Sequence, residues 1–417
     1  MFTLMQRHPE RCLCYCQPCR STQRMKTSGP LDGLIVVDLT RVLAGPYATM
    51  VMADLGARVI KIEIPGTGDD ARHFGPFVDG KSAYFASLNR GKESVALDLK
   101  APEDRTIFQD LIRKSDILVE NYRPGTMDKL EFGWDTLQEL NSRLIYAAIS
   151  GFGQTGPYRN LPAYDMVVQA MGGIMSVTGH PGNDPVRVGT SIGDITAGLF
   201  GLSGILAAVV HRGNTGQGMM VDVGMLDCQV AILENAVSRY LSGGNVPEPL
   251  GARHPSITPF DAFRVHGEYI VIAAGNNTLF KKLCEAVGRP DLPADERFTS
   301  NDLRTRNYGS LKNQIENSLQ HKTVGEWLKI LRQVGVPCGP INNVEQIVND
   351  DQIAARNMII QSRCGSNDDL RMAGNPIKLS GFDDPRQRAA APELNADRQK
   401  LLDLLRSSEG PQPDSRS

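Results

Sequence analysis

The chain has 417 residues, a hydrophobic fraction of 41% and a formal net charge of −2. That length accommodates two or three domains, and a pI of about 6.4 argues against a nucleic-acid partner, which needs a clustered basic face. No run reads as membrane-spanning: the longest weakly polar stretch, Ile195 to Val210, falls short of a bilayer span and reads as a buried helix.

Residues 1–29 stand apart from the rest. Arg7, Arg11, Arg20, Arg24 and Lys26 face a single acid, Glu10. A basic, acid-poor segment suggests organelle targeting, here to mitochondria. The alternatives are a disordered tail on a cytoplasmic protein, or a domain opened by Met25. Cys12, Cys14, Cys16 and Cys19 cluster in this segment, but their spacing matches no common zinc module, and no metal is expected. Cys228, Cys284, Cys338 and Cys364 are dispersed, as in a reducing compartment.

From Leu31 to Ser150 short apolar runs alternate with amphipathic segments. Leu34–Leu39, Arg58–Glu63, Ser94–Leu99, Ile117–Glu120 and Leu144–Ile149 read as strands. Pro46 opens a helix that stops at Gly56, and another covers Pro102 to Lys114. The alternation predicts an α/β fold with a mostly parallel, Rossmann-like sheet. Gly151 to Gly193 reads as irregular apart from a helix near Met166–Met175. The apolar helix follows Asp194, then a strand at Met219–Val223 and a helix at Leu226–Leu241. A smaller α+β domain begins near Pro255 with a hairpin around His266-Gly267. Helices at Thr278–Val287, Leu303–Gln320 and Val324–Val334 follow. The expected organisation is residues 1–29 apart, a large domain over 30–250, a small one over 251–345, a return to the large domain over 346–406 with a closing helix from Glu393, and a disordered tail over 407–417.

Three short motifs match on paper and fail on context. Gly151-Phe-Gly-Gln-Thr-Gly156 follows a strand but runs into Pro157 and Pro162, where a dinucleotide site needs a helix. Gly75-Pro-Phe-Val-Asp-Gly-Lys-Ser82 lies far from the nearest strand and spends one backbone donor on Pro76. Gly189-Thr-Ser-Ile-Gly193 fits a hydrolase elbow but has no adequate strand before it.

Seven phrases in order resemble the class III CoA-transferase family, the CaiB/BaiF type. They are Leu39-Thr-Arg-Val-Leu-Ala-Gly-Pro46, Asp54-Leu-Gly-Ala57, Val59-Ile-Lys-Ile-Glu63, Glu120-Asn-Tyr-Arg-Pro-Gly125, Gly151-Phe-Gly-Gln-Thr-Gly-Pro157, Gly193-Asp-Ile-Thr-Ala-Gly198 and Gly335-Val-Pro-Cys-Gly-Pro340. The likeness runs from about Pro30 to Arg406. It is greatest to the succinyl-CoA:glutarate branch, through Gly275-Asn-Asn277, His254-Pro-Ser-Ile257 and Gly339-Pro-Ile-Asn-Asn343.

The resemblance implies an enzyme that moves CoA from an acyl-CoA to a free carboxylic acid, with no metal or redox cofactor. It also implies an interlocked homodimer and places the nucleophile at Asp194. The local pattern supports that role: Asp194 sits between Gly193 and the apolar helix, where an N-cap carboxylate is held ionised, near or below the usual 3.9 or so. The same pattern also fits an ordinary structural cap. Asp165 aligns with a second acidic site position and is equally readable as a loop cap. The residue before it is Tyr164, where the related 2-methylacyl-CoA racemases carry a histidine. Tyrosine is a poor base at neutral pH, so racemization ranks below transfer; a non-catalytic CoA-binding protein is the third reading. By resemblance CoA contacts fall on Val42, Leu43, Ala44, Asn89, Lys92, Asn121, Tyr122 and Lys129. A dicarboxylic acceptor calls for an arginine near Asp194, Arg41 or Arg90, each also readable as a structural ion-pair residue. Ile64 stands where relatives place a CoA-contacting arginine, with Arg72 as the candidate replacement, and Leu394-Asn-Ala-Asp-Arg398 departs from the family phrase.

Overall fold

A computed structural model of the protein describes residues 29–365 and 367–407. The cysteine cluster and the residues on either side of that span, 1–28 and 408–417, lie outside the described residues.

Six strands form the central sheet: β1 (Ile35–Asp38), β2 (Arg58–Glu63), β3 (Glu93–Ala96), β4 (Ile117–Glu120), β5 (Ile145–Ser150) and β6 (Met220–Gly224). Their spatial order is β3-β2-β1-β4-β5-β6, and every pairing is parallel. The strands are near-continuous apolar runs because both sheet faces are covered. In β1, Val36 enters one core with Ala48, Met52, Ala197 and Ile205. Its neighbour Val37 enters the opposite core with Phe108, Leu111 and Ile112.

The helices that matter for the site are α1 (Ala44–Asp54), α2 (Ala83–Asn89), α3 (Pro102–Lys114), α4 (Asp165–Met171) and α5 (Ile192–Thr215). Helix α5 packs against α1 on one face of the sheet. Gly198 makes this possible: a Cβ there would lie 2.6 Å from the carbonyl oxygen of Ala44. Helix α5 is longer than expected, 24 residues, and is the one helix among the described residues long and apolar enough to cross a membrane. Here it is a layer on the sheet, with Thr196, Ala197, Gly201, Leu202 and Ile205 turned inward.

Other boundaries also differ from expectation. The helix expected over Leu226–Leu241 is two, α6 (Met225–Leu233) and α7 (Asn235–Gly243), broken at Glu234 with φ +34°. The Met166–Met175 helix ends at Met171, ahead of Gly172-Gly173, and a short turn of helix follows at Ile174–Val177.

A third core belongs to a separate antiparallel sheet. The hairpin Phe260–Val265/Glu268–Ala273 turns through His266 and Gly267, both at positive φ, as a two-residue turn of that hand requires. Phe280, Leu283, Leu311, Ile315, Trp327 and Leu331 pack over it from three helices. The chain then returns to the large sheet. Asn395 Oδ1 accepts from Ala96 N, Asp397 Oδ2 accepts from Ser94 N, and Arg398 donates to Ala96 O. The variant phrase Leu394–Arg398 thus occupies the open edge of β3, which would otherwise expose unpaired backbone groups. The closing helix begins only at Arg398.

Candidate active site

In a doubly wound sheet the crevice for a ligand opens where strand order reverses, outside the carboxyl ends of the strands. Here that point lies between β1 and β4. Arg41 follows β1 and Asn121 follows β4, and they lock the two loops together. Arg41 N donates to Asn121 Oδ1, and Asn121 Nδ2 donates to Arg41 O, both at 2.8 Å. Beside them opens a cavity of about 310 Å³, lined among others by Arg41, Val42, Leu43, Ala44, Asn121, Tyr122, Tyr164 and Asp194. Val42 has φ +68°, a costly conformation for a β-branched residue. Asp69 holds it there by accepting the Val42 N–H at 3.1 Å.

Asp194 is the third residue of α5, so it is not the N-cap expected from its sequence. Ser191 takes that position, without a side-chain capping bond. No described hydrogen bond ends on the Asp194 carboxylate; it faces the cavity. Burial and then the nearby Asp165 charge push its pKa up to about 7, against the low value expected for a cap. The positive end of α5 favours ionisation but is outweighed. Asp165 opens α4 and turns away from the cavity. Its Oδ1 accepts Gly193 N and its Oδ2 accepts Gln169 Nε2, each at 2.8 Å. Gln169 is fully buried and its Oε1 accepts Val188 N at 2.9 Å. Asp165 therefore ties down the chain just ahead of Asp194. A Cβ on Gly193 would come within 2.9 Å of Asp165 Oδ1. The glycine is what lets this contact form.

Beneath the Arg41–Ala44 turn lies a buried ionic network. Lys92 Nζ reaches Asp38 Oδ2 at 2.9 Å, Thr49 Oγ1 at 2.8 Å and Asn89 Oδ1 at 2.9 Å. Lys61 Nζ reaches Thr40 O at 2.6 Å and Asp69 at 2.9 Å. Burial alone would raise the Asp38 pKa, but Lys92 and Lys61 hold it well below the usual carboxylate range. Burial pulls Lys92 down to about 8, with Asp38 working against it. The network fixes the turn that carries the cavity wall.

The structure therefore sorts the expected site residues. Val42, Leu43, Ala44, Asn121, Tyr122, Arg41 and Asp194 come together in one cavity. Lys92 and Asn89, expected at CoA, are buried in the ionic network instead. Arg90, the second candidate for a substrate carboxylate, is buried and bonded to Asp54 at 2.7 and 3.2 Å. Lys129 is exposed and does not line the cavity. Arg72 grips Glu63 with two bonds of 2.7 Å and does not line this cavity. Sequence reasoning passed over Arg123 and Arg159, which line the cavity and form no ion pair among the described residues. It also passed over Tyr84, whose hydroxyl pKa is pushed up to about 12 by burial and by Asp194. Arg123 stood inside one of the quoted phrases, and its neighbours Asn121 and Tyr122 were the available signal. No histidine lines the cavity.

At the switch point of this doubly wound sheet, a carboxylate with no partner among the described residues shares one cavity with Arg41, Arg123 and Arg159. The family model for CoA-transferase family III matches residues 31–398, and the chain belongs to that family. It is an enzyme, a CoA-transferase. It is 48% identical over 375 residues to an acetyl-CoA:oxalate CoA-transferase of Acetobacter aceti, covering 90% of this chain and 95% of that protein. It is 36% identical over 384 residues to the succinyl-CoA:glutarate CoA-transferase of Mus musculus, covering 91% and 88%. The fold matches a crystal structure of a CaiB/BaiF family protein from Brucella suis with TM-score 0.80 and 37% identity, covering 91% of this chain and all of that one.

Proposed function

We propose that the enzyme transfers CoA from an acyl-CoA, succinyl-CoA in the first instance, to a short dicarboxylate such as glutarate, with Asp194 as nucleophile. The observation that carries this reading is the Asp194 carboxylate, unbonded, in a cavity that it shares with Arg41, Arg123 and Arg159. Both transferase relatives named above are named for dicarboxylate acids, oxalate and glutarate.

The carboxylate attacks the thioester carbonyl and CoA thiolate leaves, giving a mixed anhydride. The thiolate attacks the aspartyl carbonyl, which releases the donor acid and leaves CoA on Asp194. The incoming acid attacks that thioester, forms a second anhydride, and takes CoA back as its own thioester. Each step exchanges one activated acyl bond for another, so the thioester energy is kept while water stays out. A carboxylate whose pKa is raised to about 7 is a stronger nucleophile than an ordinary aspartate and is still ionised at mildly alkaline pH. The route draws on no resident cofactor. Arg41, Arg123 and Arg159 suit the acceptor's second carboxylate or CoA phosphates, and Tyr122 suits a stacked adenine.

A racemase needs a second base beside the α-carbon. Tyr164 stands where that base would be, and it is 79% exposed. Homodimerisation is part of the proposal. Leu199, Phe200, Val210, Val230 and Leu241 expose apolar surface along α5, α6 and α7, which a second chain would cover. The basic, acid-poor composition of residues 1–29 supports a mitochondrial address.

The deciding experiment incubates the enzyme with succinyl-CoA and acids of two to six carbons, and follows new acyl-CoA species by mass. Hydroxylamine or borohydride should label Asp194 during turnover. Label on another residue, or full exchange by Asp194→Ala, overturns the reading.

A further inference from the structure

Two consecutive acids hold two consecutive residues of the cavity wall, and they do so very differently. Asp69 is buried and fixed. It accepts from Val42 N and Ala71 N, pairs with Lys61 at 2.9 Å, and donates its own N–H to Glu63. Asp70 is exposed, and its described side-chain contact is a single ion pair with Arg41 at 2.6 Å, the two side chains being 53% and 35% exposed. Such a pair contributes little and exchanges readily.

Arg41 has unused capacity. Its Nε is buried and has no hydrogen-bond partner among the described residues. Its backbone is clamped on both sides by Asn121, so the guanidinium is presented from a rigid base. The exposed end of the side chain is where a carboxylate from the cavity can arrive, and it can take both terminal nitrogens together, in the bidentate geometry that Asp70 does not supply. Arg41, Asp70 and Asp194 all line the same cavity.

We propose that Asp70 is a built-in substitute for the second carboxylate of the acceptor. It occupies Arg41 while the cavity is empty and yields to a dicarboxylate, so that Arg41 supplies the preference for dicarboxylates over monocarboxylates and Asp70 limits how strong that preference is. This rests on the reading of the cavity as a dicarboxylate site. The exchange makes and breaks no covalent bond. A monocarboxylate engages only the Asp194 end and leaves the pair intact. A dicarboxylate must displace Asp70, so its apparent affinity carries the cost of that competition.

The test measures initial rates for glutarate and for butyrate at saturating acyl-CoA, with the wild type, Asp70→Asn and Arg41→Met. Asp70→Asn removes the competitor and keeps the shape. It should lower the KM for glutarate about two- to fivefold, the size expected on losing an exposed ion pair, and leave that for butyrate unchanged. Arg41→Met should raise the glutarate KM at least about tenfold and spare butyrate. If Arg41→Met leaves the glutarate KM unchanged, the dicarboxylate reading of Arg41 itself falls. If Arg41→Met behaves as stated while Asp70→Asn leaves the glutarate KM unchanged or raises it, that reading stands and the substitution role of Asp70 is overturned.

Discussion

The carboxylate of Asp165 accepts the backbone N–H of Gly193 at 2.8 Å, one residue ahead of Asp194. This bond places a second negative charge beside the proposed nucleophile without putting it in the cavity. It serves two ends: it anchors the first turn of α5, and it helps to raise the Asp194 pKa, a shift in which burial is the larger cause. The two effects separate by substitution. Asp165→Asn keeps an oxygen for the Gly193 N–H and removes the charge. The acid limb of the kcat/KM profile, which follows ionisation of Asp194, should move to lower pH by about half a unit to one unit. Asp165→Ala removes the anchor as well, and should cost kcat about tenfold or more through a displaced nucleophile. Equal pH profiles for wild type and Asp165→Asn would remove Asp165 from the electrostatics of the site.

A carboxylate with a pKa raised to about 7 in the folded enzyme and an ordinary one when unfolded works against folding wherever it is charged in both states. The sign follows from proton binding. Below about pH 4 both states are protonated and Asp194 is neutral in its effect. Between about pH 4 and 7 the folded state holds the proton more tightly, and the penalty grows as pH rises. Above about 7 it is constant. Asp194→Ala should therefore abolish transfer and stabilise the protein by about 1–3 kcal/mol at pH 8, with most of that gain gone at pH 4.5. Urea unfolding at the two pH values checks it. A gain of the same size at both would mean that the alanine acts through helix propensity alone.

Much of this arrangement was legible in the residues, and the parts that were not have separate physical causes. Strands such as Arg58–Glu63 and Ile117–Glu120, and the Pro102–Lys114 helix, were readable to the residue because local pattern and tertiary position agree. The break at Glu234 was not, because it interrupts a run of helix-forming residues that carries no local sign of it; the stop at Gly172-Gly173 was signalled by two poor helix formers that the Met166–Met175 reading ran through. The cation assignments failed for a different reason. Lys92 and Arg90 stand in a loop whose sequence is compatible with phosphate binding, but their partners, Asp38 and Asp54, lie 54 and 36 positions away. No local spacing reveals which charges will be paired inside. Arg123 and Arg159 were overlooked for the converse reason: a free arginine in a loop looks like a surface charge until the sheet brings the loop to the switch point.

The buried Lys92–Asp38 pair makes a prediction that divides a structural lysine from a ligand-binding one. Lys92→Met leaves the Asp38 carboxylate buried with Thr40 and Thr49 as its remaining direct partners. Breaking such a pair by removing one member should cost about 3–5 kcal/mol. The variant should unfold at markedly lower urea while the KM for acyl-CoA, measured well below the transition, stays within about twofold of wild type. Normal stability with a KM raised about tenfold would restore Lys92 to the CoA site.

Arg123 and Arg159 approach the cavity from different loops, one following β4 and the other preceding α4. Neither has a carboxylate partner among the described residues, and both are exposed, so each can be removed without leaving a buried charge unpaired. Substitution by alanine should therefore change stability by less than about 0.5 kcal/mol. The effect belongs in KM. An arginine that meets the acceptor raises the acceptor KM about 10-fold or more when removed and leaves the acyl-CoA KM alone; one that meets CoA phosphate does the reverse. Ionic strength gives an independent check. An exposed cation steering a polyanion loses its effect as salt rises, so the defect in kcat/KM for CoA should shrink between about 0.01 and 0.5 M salt. Two silent alanine variants would show that the lone charges on this wall do not hold substrate, and would leave Arg41 as the arginine on which anion recognition in the cavity rests.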